Sequence, residues 1–545
     1  MYLTQGLHRA LQRHPHRLAL RDAAVPGDPG LDYAGLLPRV ARLAAALQAQ
    51  GVVAGDRVAL LSPNSAGLVQ QLLACWWLGA AVVPLSPHAA PADLRQALAA
   101  SQARLLLVHP ALAWLSSQVG LATALPAAAT EMDAAALAAQ AAGLQGLDDS
   151  RTGGPALAAL LFTAGTTGRP QAVMLTHANL WTAALAQAAE LPVALRGPQP
   201  LCLLATPLCH VAALGRLLLQ TLLGGGCLTL PQFQPDTVLA ALDGQGVTDL
   251  LLAPRQLAAL LDAPGFDAAR LQGVQRISHG LTPMPPQLLL RARAAWPRAE
   301  LVATWGLTES AGAVCLRRSA PLQQPSQTPT SAPQAPLAAE TVGPAGLGAE
   351  LRIADAQGAS LPAGQAGQIL LRGPMVMAGY WQQPEASRAA LHGGWLHTGD
   401  AGRIDAQGEL VVIDRICDIV VSGGEKVYPT EVEAVLRLHP AVADVAVLGL
   451  DHPVWGQAVH AVVVLARGAL PQPEALRRHC RQHLAGYKCP RSVSFAAGLP
   501  LSATGQVQKP LLRQALLPAS HPKSNPWPNP GDADDSPAHP RLDGR

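Results

Sequence analysis

Between the apolar runs ALAALLF and QAVMLTH stands the segment Thr163-Ala164-Gly165-Thr166-Thr167-Gly168-Arg169-Pro170. Two glycines, three hydroxyls and a proline make a tight turn whose backbone N–H groups and hydroxyls can surround phosphate oxygens. It is not a Walker A loop, because no Gly-Lys-Ser/Thr follows and a strand pattern comes next where that loop has a helix. The residues alone leave two readings open, a nucleotide loop and an ordinary polar hairpin. Further on, LVATWGLTES sets Thr308 and Glu309 just past a strand, GWLHTGDAGRID presents Asp400 in a Gly-flanked turn, and VVIDRICDIVVSGGEKVYPTEVE carries Arg415 and then Gly423-Gly424. Taken singly, Asp400 is equally a turn-capping carboxylate and the glycine pair equally a plain turn.

These residues need a scaffold, and the hydrophobic pattern supplies one. From Arg57 the chain reads as strand (RVALLSP), helix (Gly67–Leu78), strand (AVVPLSP), helix (Pro91–Ser101) and strand (ARLLLVHP). The alternation returns at LCLLATP, at TVLAALDGQGVTDLLLAP, at VQRISHG with PPQLLLRARAAWP, and at AELVATWG. This predicts an α/β fold of mostly parallel sheets covered by helices, with ligands at strand carboxyl ends. A composition shift near Asp414–Asp418 separates residues 1–414 from a small α+β domain over 418–516. The smaller part holds helices at Thr430–Leu438 and Pro473–Leu484 and the strands VADVAVLGL and AVHAVVVLA. Residues 317–339, rich in Pro, Gln, Ser and Thr, and the Pro-rich tail 517–545 lack apolar periodicity, and disorder is expected in both.

With 545 residues the chain is too long for one core, and its 49% apolar and 14% charged residues, against about 25% charge in ordinary domains, require extensive burial. Basic and acidic groups number 39 and 36, which leaves no basic stripe for nucleic acid. The eight cysteines show no C-x-x-C or zinc spacing and fit reduced thiols, so a cytoplasmic location is expected. No signal peptide is read at the N-terminus. The longest apolar stretch, Leu68–Leu85, is split by Gly79 and Pro84 and is too short to span a bilayer.

The ordered set of the Thr163–Gly168 loop, LVATWGLTES, HTGD, IDRICD and GGEKVYPTEVE closely resembles the adenylate-forming superfamily, which includes acyl-CoA synthetases, peptide-synthetase adenylation domains and luciferases. PLCHVAAL, HGLTPMPPQL, ETVGPAG, GQILLRGPMVMAGYW, LRLHPAVADVAVLGLDHPVWG and LAGYKCPRSV agree with it. The likeness covers residues 5 to 515, and its wording is most similar to stand-alone acyl-CoA or aryl-CoA ligases. Such enzymes join a carboxylate to ATP, release pyrophosphate, and let the coenzyme A thiol displace AMP. The resemblance implies that Thr163, Gly165, Thr166, Thr167 and Gly168 hold the β- and γ-phosphates. It makes Glu309 the Mg²⁺ ligand and Thr308 a donor to the α-phosphate. Asp400 and Arg415 would bind the ribose, and Trp305 would stack on adenine beside Gly280. His210, Val211 and the chain to Gly215 would line the acyl pocket, with Leu281 opposite. Cys417 would be the hinge, and Gly424 would admit pantetheine.

Six positions depart from the pattern, among them Cys417, where the hinge is usually Asp or Lys, and Trp305, where the family often has Tyr. Gln171 stands where the phosphate loop usually runs into a lysine, and Gln506 stands at the second family lysine, the one that reaches the reacting carboxylate and α-phosphate. Lysine occurs only at Lys426, Lys488, Lys509 and Lys523. Lys509, three residues beyond Gln506, would face the opposite way in an extended strand. Ala164 replaces a common serine and Gln368 a usual glutamate. The expected activity is an ATP-dependent acid:CoA ligase using ATP, Mg²⁺ and CoA. Aliphatic walls and few aromatics favour an aliphatic acid, with adenylation slowed by Gln506. The alternatives are a non-catalytic binder of nucleotide or acyl-CoA, and an enzyme loading a separate carrier protein, for which no fused carrier domain speaks.

Overall fold

A computed structural model describes residues 1–164, 170–191, 200–319, 341–502 and 505–516. The chain divides into two compact units that meet at Val412 and Ile413. In the larger, one sheet orders its strands Gly312–Ser319, Glu300–Leu307, Arg276–His279, Asp249–Leu251, Leu201–Leu204, Gly226–Thr229, Leu18–Asp22 and Leu31–Asp32. The six central strands run parallel, and each edge pair is antiparallel. A second sheet runs Gly379–Tyr380, Pro170–Thr176, Leu157–Ala164, Ala81–Leu85, Arg57–Leu61, Leu105–Val108 and Thr130–Asp133, parallel from Leu157–Ala164 to its far edge. A third sheet, with Glu350–Ala354, Gly367–Arg372, Trp395–Ile404 and Leu391–His392, is antiparallel.

The stretch too apolar to be a surface helix is the helix Ala66–Leu78, buried on nearly every side between the parallel strands and the helix Tyr33–Ala49. Gly79 ends it at φ 86°, a left-handed stop that a side chain would strain. Its two tryptophans satisfy their indole N–H groups on backbone carbonyls, Trp76 on Ala158 and Trp77 on Leu147, both at 2.9 Å. No helix among the described residues is long and apolar enough to cross a membrane. Arg317–Ser319 finish the strand Gly312–Ser319, so the irregular insertion expected over 317–339 begins later; its remainder and the tail from 517 lie outside the described residues.

The smaller unit has a sheet ordered Glu425–Val427, Val420–Ser422, Gly456–Leu465 and Val442–His452, with Ser492–Phe495 parallel to Gly456–Leu465. The helices Pro429–Arg437 and Pro473–His483 belong to it, and Val432, Val435 and Leu436 bury against Val445, Val447 and Val459. All eight cysteines are free thiols, with Cys417 exposed.

His177, His279 and His460 are buried, and His210 has a buried Nε2, each at a cost to its charged form. Burial holds His177, His210, His279 and His460 down at about 4, against an ordinary 6.5. The unfolded chain therefore binds more protons than the folded one between these values. Stability is full above pH 6.5 and falls as pH drops toward 4. We expect the Tm at pH 4.5 to lie well below that at pH 7.5, with the loss concentrated below pH 6.5; a Tm flat across that window would contradict the burial.

Candidate functional site

The strand Glu300–Leu307 ends in a single turn, Thr308–Ser310, that carries both Thr308 and Glu309. Ser310 fixes this turn by accepting from the Leu307 N–H at 2.8 Å and donating to the carbonyl of Gly312 at 2.7 Å. The Met377 N–H donates to the Glu309 carbonyl at 2.8 Å, and the Tyr380 hydroxyl donates to Glu309 Oε1 at 3.0 Å. Burial first, and the neighbouring carboxylate second, push the Tyr380 phenol far up, so it remains a donor at any working pH. One oxygen of Glu309 is thus oriented by the Tyr380 hydroxyl. A half-exposed, oriented carboxylate fits the hard-oxygen preference of Mg²⁺, which would neutralise phosphate charge when bound there. Tyr380 is absent from the sequence reading, although the segment GYW that holds it was part of the resemblance.

Asp400 lies in the strand Trp395–Ile404, directly after Gly399 at φ 74°. Its N–H donates to Thr398 Oγ1 at 3.1 Å, and that hydroxyl donates to the carbonyl of Ile369 at 2.7 Å. The Trp305 indole N–H donates to Asp400 Oδ2 at 3.0 Å, with both side chains buried. Trp305 therefore does two things that sequence reasoning set against each other: it packs in the core and it aims a candidate ribose acceptor. Gly280 follows the strand Arg276–His279, where an added Cβ would stand 2.5 Å from the Thr304 carbonyl and 2.6 Å from its hydroxyl. Glycine is required there to let the two strand ends close together. Leu281, next in line, holds φ 71°, strained for a branched side chain and kept at a strand's carboxyl end beside the site.

On this geometry Trp305→Phe, which keeps the ring and removes the N–H, is expected to raise KM for ATP and lower kcat/KM about tenfold or more, as the loss of a hydrogen bond to a charged group does. Steady-state kinetics with ATP varied would check it. A lower Tm with KM unchanged would assign Trp305 to the core alone.

The acyl-pocket candidates gather on the helix Val211–Leu223. His210 is its N-cap, Val211 opens it, and Gly215 lies one turn on. The His210 Nε2 is buried and has no hydrogen-bond partner among the described residues, and burial keeps the ring neutral, down at about 4. Two residues missed in the sequence join this group. A Cβ on Gly312 would stand 3.9 Å from Val211 Cγ2 and 3.9 Å from Gln187 Nε2, and a Cβ on Gly215 would stand 3.8 Å from the same nitrogen. Gln187, in the helix His177–Ala189, is 6% exposed.

The candidate phosphate loop connects the antiparallel strands Leu157–Ala164 and Pro170–Thr176, so a strand does follow it. Thr163 is paired with Gln171 across that ladder, and Gln171 Nε2 donates to Gln383 Oε1 at 3.5 Å. Gly165, Thr166, Thr167 and Gly168 lie outside the described residues.

In the smaller unit Arg415 is exposed at the end of the strand Leu410–Arg415, and Cys417 sits in the single turn Ile416–Asp418. Gly423 and Gly424 join Val420–Ser422 to Glu425–Val427, with φ of 62° and 86°. A two-residue hairpin with both central residues at positive φ is the type I′ turn, which by itself accounts for two glycines. A Cβ on Gly423 would strike the Trp455 ring at 2.8 Å, whereas one on Gly424 meets nothing within 4 Å. Gln506 lies in a loop closed by the Ser502 N–H donating to the Gln506 carbonyl at 2.8 Å. Lys509 opens the helix Lys509–Leu516 rather than continuing an extended strand, which corrects the expected geometry. Its ammonium is nearly buried against Glu433 Oε1 at 3.1 Å. Glu433 is held low chiefly by Lys509 and Arg437, against its burial.

The AMP-binding enzyme family matches residues 7–381, and its C-terminal domain family matches residues 431–506. A feruloyl-CoA synthase of Amycolatopsis sp is 36% identical over 510 residues, covering 93% of this chain and 97% of the relative. A long-chain-fatty-acid–CoA ligase of Mycobacterium tuberculosis is 30% identical over 489 residues, covering 89% and 93%. The crystal structure of ATP-bound MatB from Rhodopseudomonas palustris superposes with a TM-score of 0.83 at 27% identity, covering 94% of this chain and 99% of that one. With the matched families spanning both units, the chain belongs to the AMP-binding enzymes of the adenylate-forming superfamily.

Proposed function

We propose that this protein is an AMP-forming carboxylic acid:CoA ligase acting in the cytosol on a small-molecule acid, ATP and CoA. The observation that carries the reading is the pair of oriented carboxylates: Glu309 under the Tyr380 hydroxyl, in the turn after the strand Glu300–Leu307, and Asp400 under the indole of Trp305 from that same strand. Glu309 holds Mg²⁺, Thr308 donates to the α-phosphate, Thr163 opens the phosphate loop, and Asp400 with Arg415 binds the ribose. The acid's carboxylate attacks the α-phosphorus and pyrophosphate leaves; the CoA sulfur then attacks the acyl carbon and AMP leaves. Gly424, with open space at its Cα, is where the pantetheine thread would pass. The low aromatic content, 3% of the chain, favours an acid with an aliphatic body.

A second reading, a binder of nucleotide or acyl-CoA without turnover, is favoured by one observation: Lys509, the ammonium nearest Gln506 in sequence, is engaged with Glu433. Pyrophosphate release from Mg-ATP against pooled short, medium, long and aromatic acids, with and without CoA, separates them. Acid-dependent release with CoA-dependent AMP formation is expected; AMP release that needs a phosphopantetheinylated carrier instead of CoA would identify a carrier loader, and no release from folded protein would favour the binder.

A further inference from the structure

We propose that Tyr380 is a positioning residue that sets the magnesium dependence of nucleotide binding by holding the Glu309 carboxylate. Residues 374–381 act as its strap, tying that carboxylate to the strand that leaves the phosphate loop. The inference rests on the proposed function only in taking Glu309 as the Mg²⁺ ligand.

One side of the strap is fixed to the turn that carries Glu309. The Met377 N–H donates to the Glu309 carbonyl at 2.8 Å, and the Tyr380 hydroxyl donates to Glu309 Oε1 at 3.0 Å. The other side is fixed to the strand Pro170–Thr176 and to the helix that follows it. Gly379 and Tyr380 pair antiparallel with Met174 and Val173. The Ala378 N–H donates to the Met174 carbonyl at 3.0 Å, and the Trp381 N–H donates to the Ala172 carbonyl at 2.8 Å. From the helix His177–Ala189, Asn179 Nδ2 donates to the carbonyls of Pro374 and Val376 at 2.9 and 2.7 Å. Ser387 adds a tether, its hydroxyl accepting from the Tyr380 N–H at 2.8 Å and donating to the Gln383 carbonyl at 2.8 Å.

Backbone bonds on both sides therefore decide where the Tyr380 ring stands. A glutamate on a short turn loses side-chain entropy when it is held in one rotamer, and a hydroxyl presented from a fixed frame offsets that loss before any ligand arrives. Partners that orient a metal ligand matter for this reason, and removing one typically costs about 10–100-fold in metal affinity. Gly379 shows how closely the frame is drawn. It holds φ 136°, and an added Cβ would stand 3.0 Å from Ser387 Oγ and 3.3 Å from Met174 Cε. Alanine there would displace the strap while leaving the hydroxyl and the carboxylate chemically intact.

The test is calorimetric binding of α,β-methylene-ATP, which cannot be adenylated onto an acid, in excess Mg²⁺ and in EDTA. The wild-type protein is expected to bind it at least about twentyfold tighter with Mg²⁺, and Tyr380→Phe to shrink that advantage about tenfold with the Kd in EDTA unchanged. A purely structural role would weaken binding equally with and without the ion. Gly379→Ala and Ser387→Ala, which move the frame and keep the hydroxyl, should each shrink the advantage about threefold, and they decide the matter where Tyr380→Phe does not fold. A wild type without the advantage, or a Tyr380→Phe protein that keeps it or loses affinity equally in both conditions, overturns the proposal; an unchanged advantage in both frame variants refutes the strap. Thioester formation by the same proteins separates this from the ligase reading. Selective loss of the magnesium advantage without turnover supports Tyr380 and refutes the ligase, whereas turnover with an advantage indifferent to Tyr380→Phe refutes Tyr380 and leaves the ligase standing.

Discussion

Gln506→Lys is expected to accelerate acid-dependent pyrophosphate release by on the order of 10²–10³, while thioester formation from a preformed acyl-adenylate changes little. The transferring phosphoryl gains negative charge in the transition state, and a glutamine can donate a hydrogen bond to it but cannot cancel charge. The protein's other ammonium groups do not make good the loss within the smaller unit. Lys509 is committed to Glu433 at 3.1 Å, and burial on both sides makes release costly. Lys488 donates to both oxygens of Glu431 at 2.8 Å. Lys426 is exposed on the strand Glu425–Val427, and Lys523 is outside the described residues. Because Gln506 occupies a loop whose closing hydrogen bonds use its backbone, the substitution leaves that loop's frame in place. Single-turnover pyrophosphate release and thioester formation, measured separately, decide the matter. A folded Gln506→Lys protein with unchanged release would mean that this position does not limit adenylation, and Gln171→Lys would become the remaining explanation for any slow first step.

The elements were legible because buried parallel strands read as unbroken apolar runs. RVALL, AVVPL and LLLV each appear where expected, and the helix Pro91–Ser101 keeps its predicted bounds. Strand order was not legible, since nothing local announces that Leu18–Asp22 lies beside Gly226–Thr229, two hundred residues away. In the candidate site, motif residues could be read singly, but the donors that orient them could not. Trp305 and Asp400 are 95 residues apart, Tyr380 and Glu309 are 71 apart, and only folding brings each pair together. Gln187 carried no signal at all, because one glutamine in ALAQAAE looks like a solvent-facing position until Gly215 and Gly312 are found against it. The local structure at Lys509 was not legible: an extended strand was assumed, whereas it starts a helix and its ammonium turns to Glu433.

The second large effect concerns the helix that carries the acyl-pocket candidates. Arg216, on that helix, and Arg276, on the strand leading to Gly280, converge on one carboxylate, Asp249. Arg276 engages it through Nη2 and through Nε at 3.2 Å, and Arg216 Nη1 stands 3.6 Å away; all three residues are 5% exposed or less. Burial lowers Arg216 first and Arg276 adds to it, whereas for Arg276 burial, the largest cause, is overcome by Asp249 with help from Cys202 and Glu300, and its pKa is raised. Two guanidinium groups thus share the Asp249 carboxylate, with buried Glu300 on the neighbouring strand adding its attraction to Arg276. Asp249→Asn is expected to cost about 3–5 kcal/mol, because it strands both charges away from water. Arg216→Met should cost much less despite removing a buried ion, since it leaves a matched Arg276–Asp249 pair and fills the space with an apolar chain of similar length. Chemical denaturation of the three proteins, compared at equal m-value, checks the ranking. If Arg216→Met proved as damaging as Asp249→Asn, the cluster would be neutral through groups other than Asp249. If Asp249→Asn were harmless, water must reach the guanidiniums. The two variants also report on the site itself, because Arg216 directly follows Gly215: relief of the excess charge by methionine should leave the helix that carries Val211 and Gly215 in place.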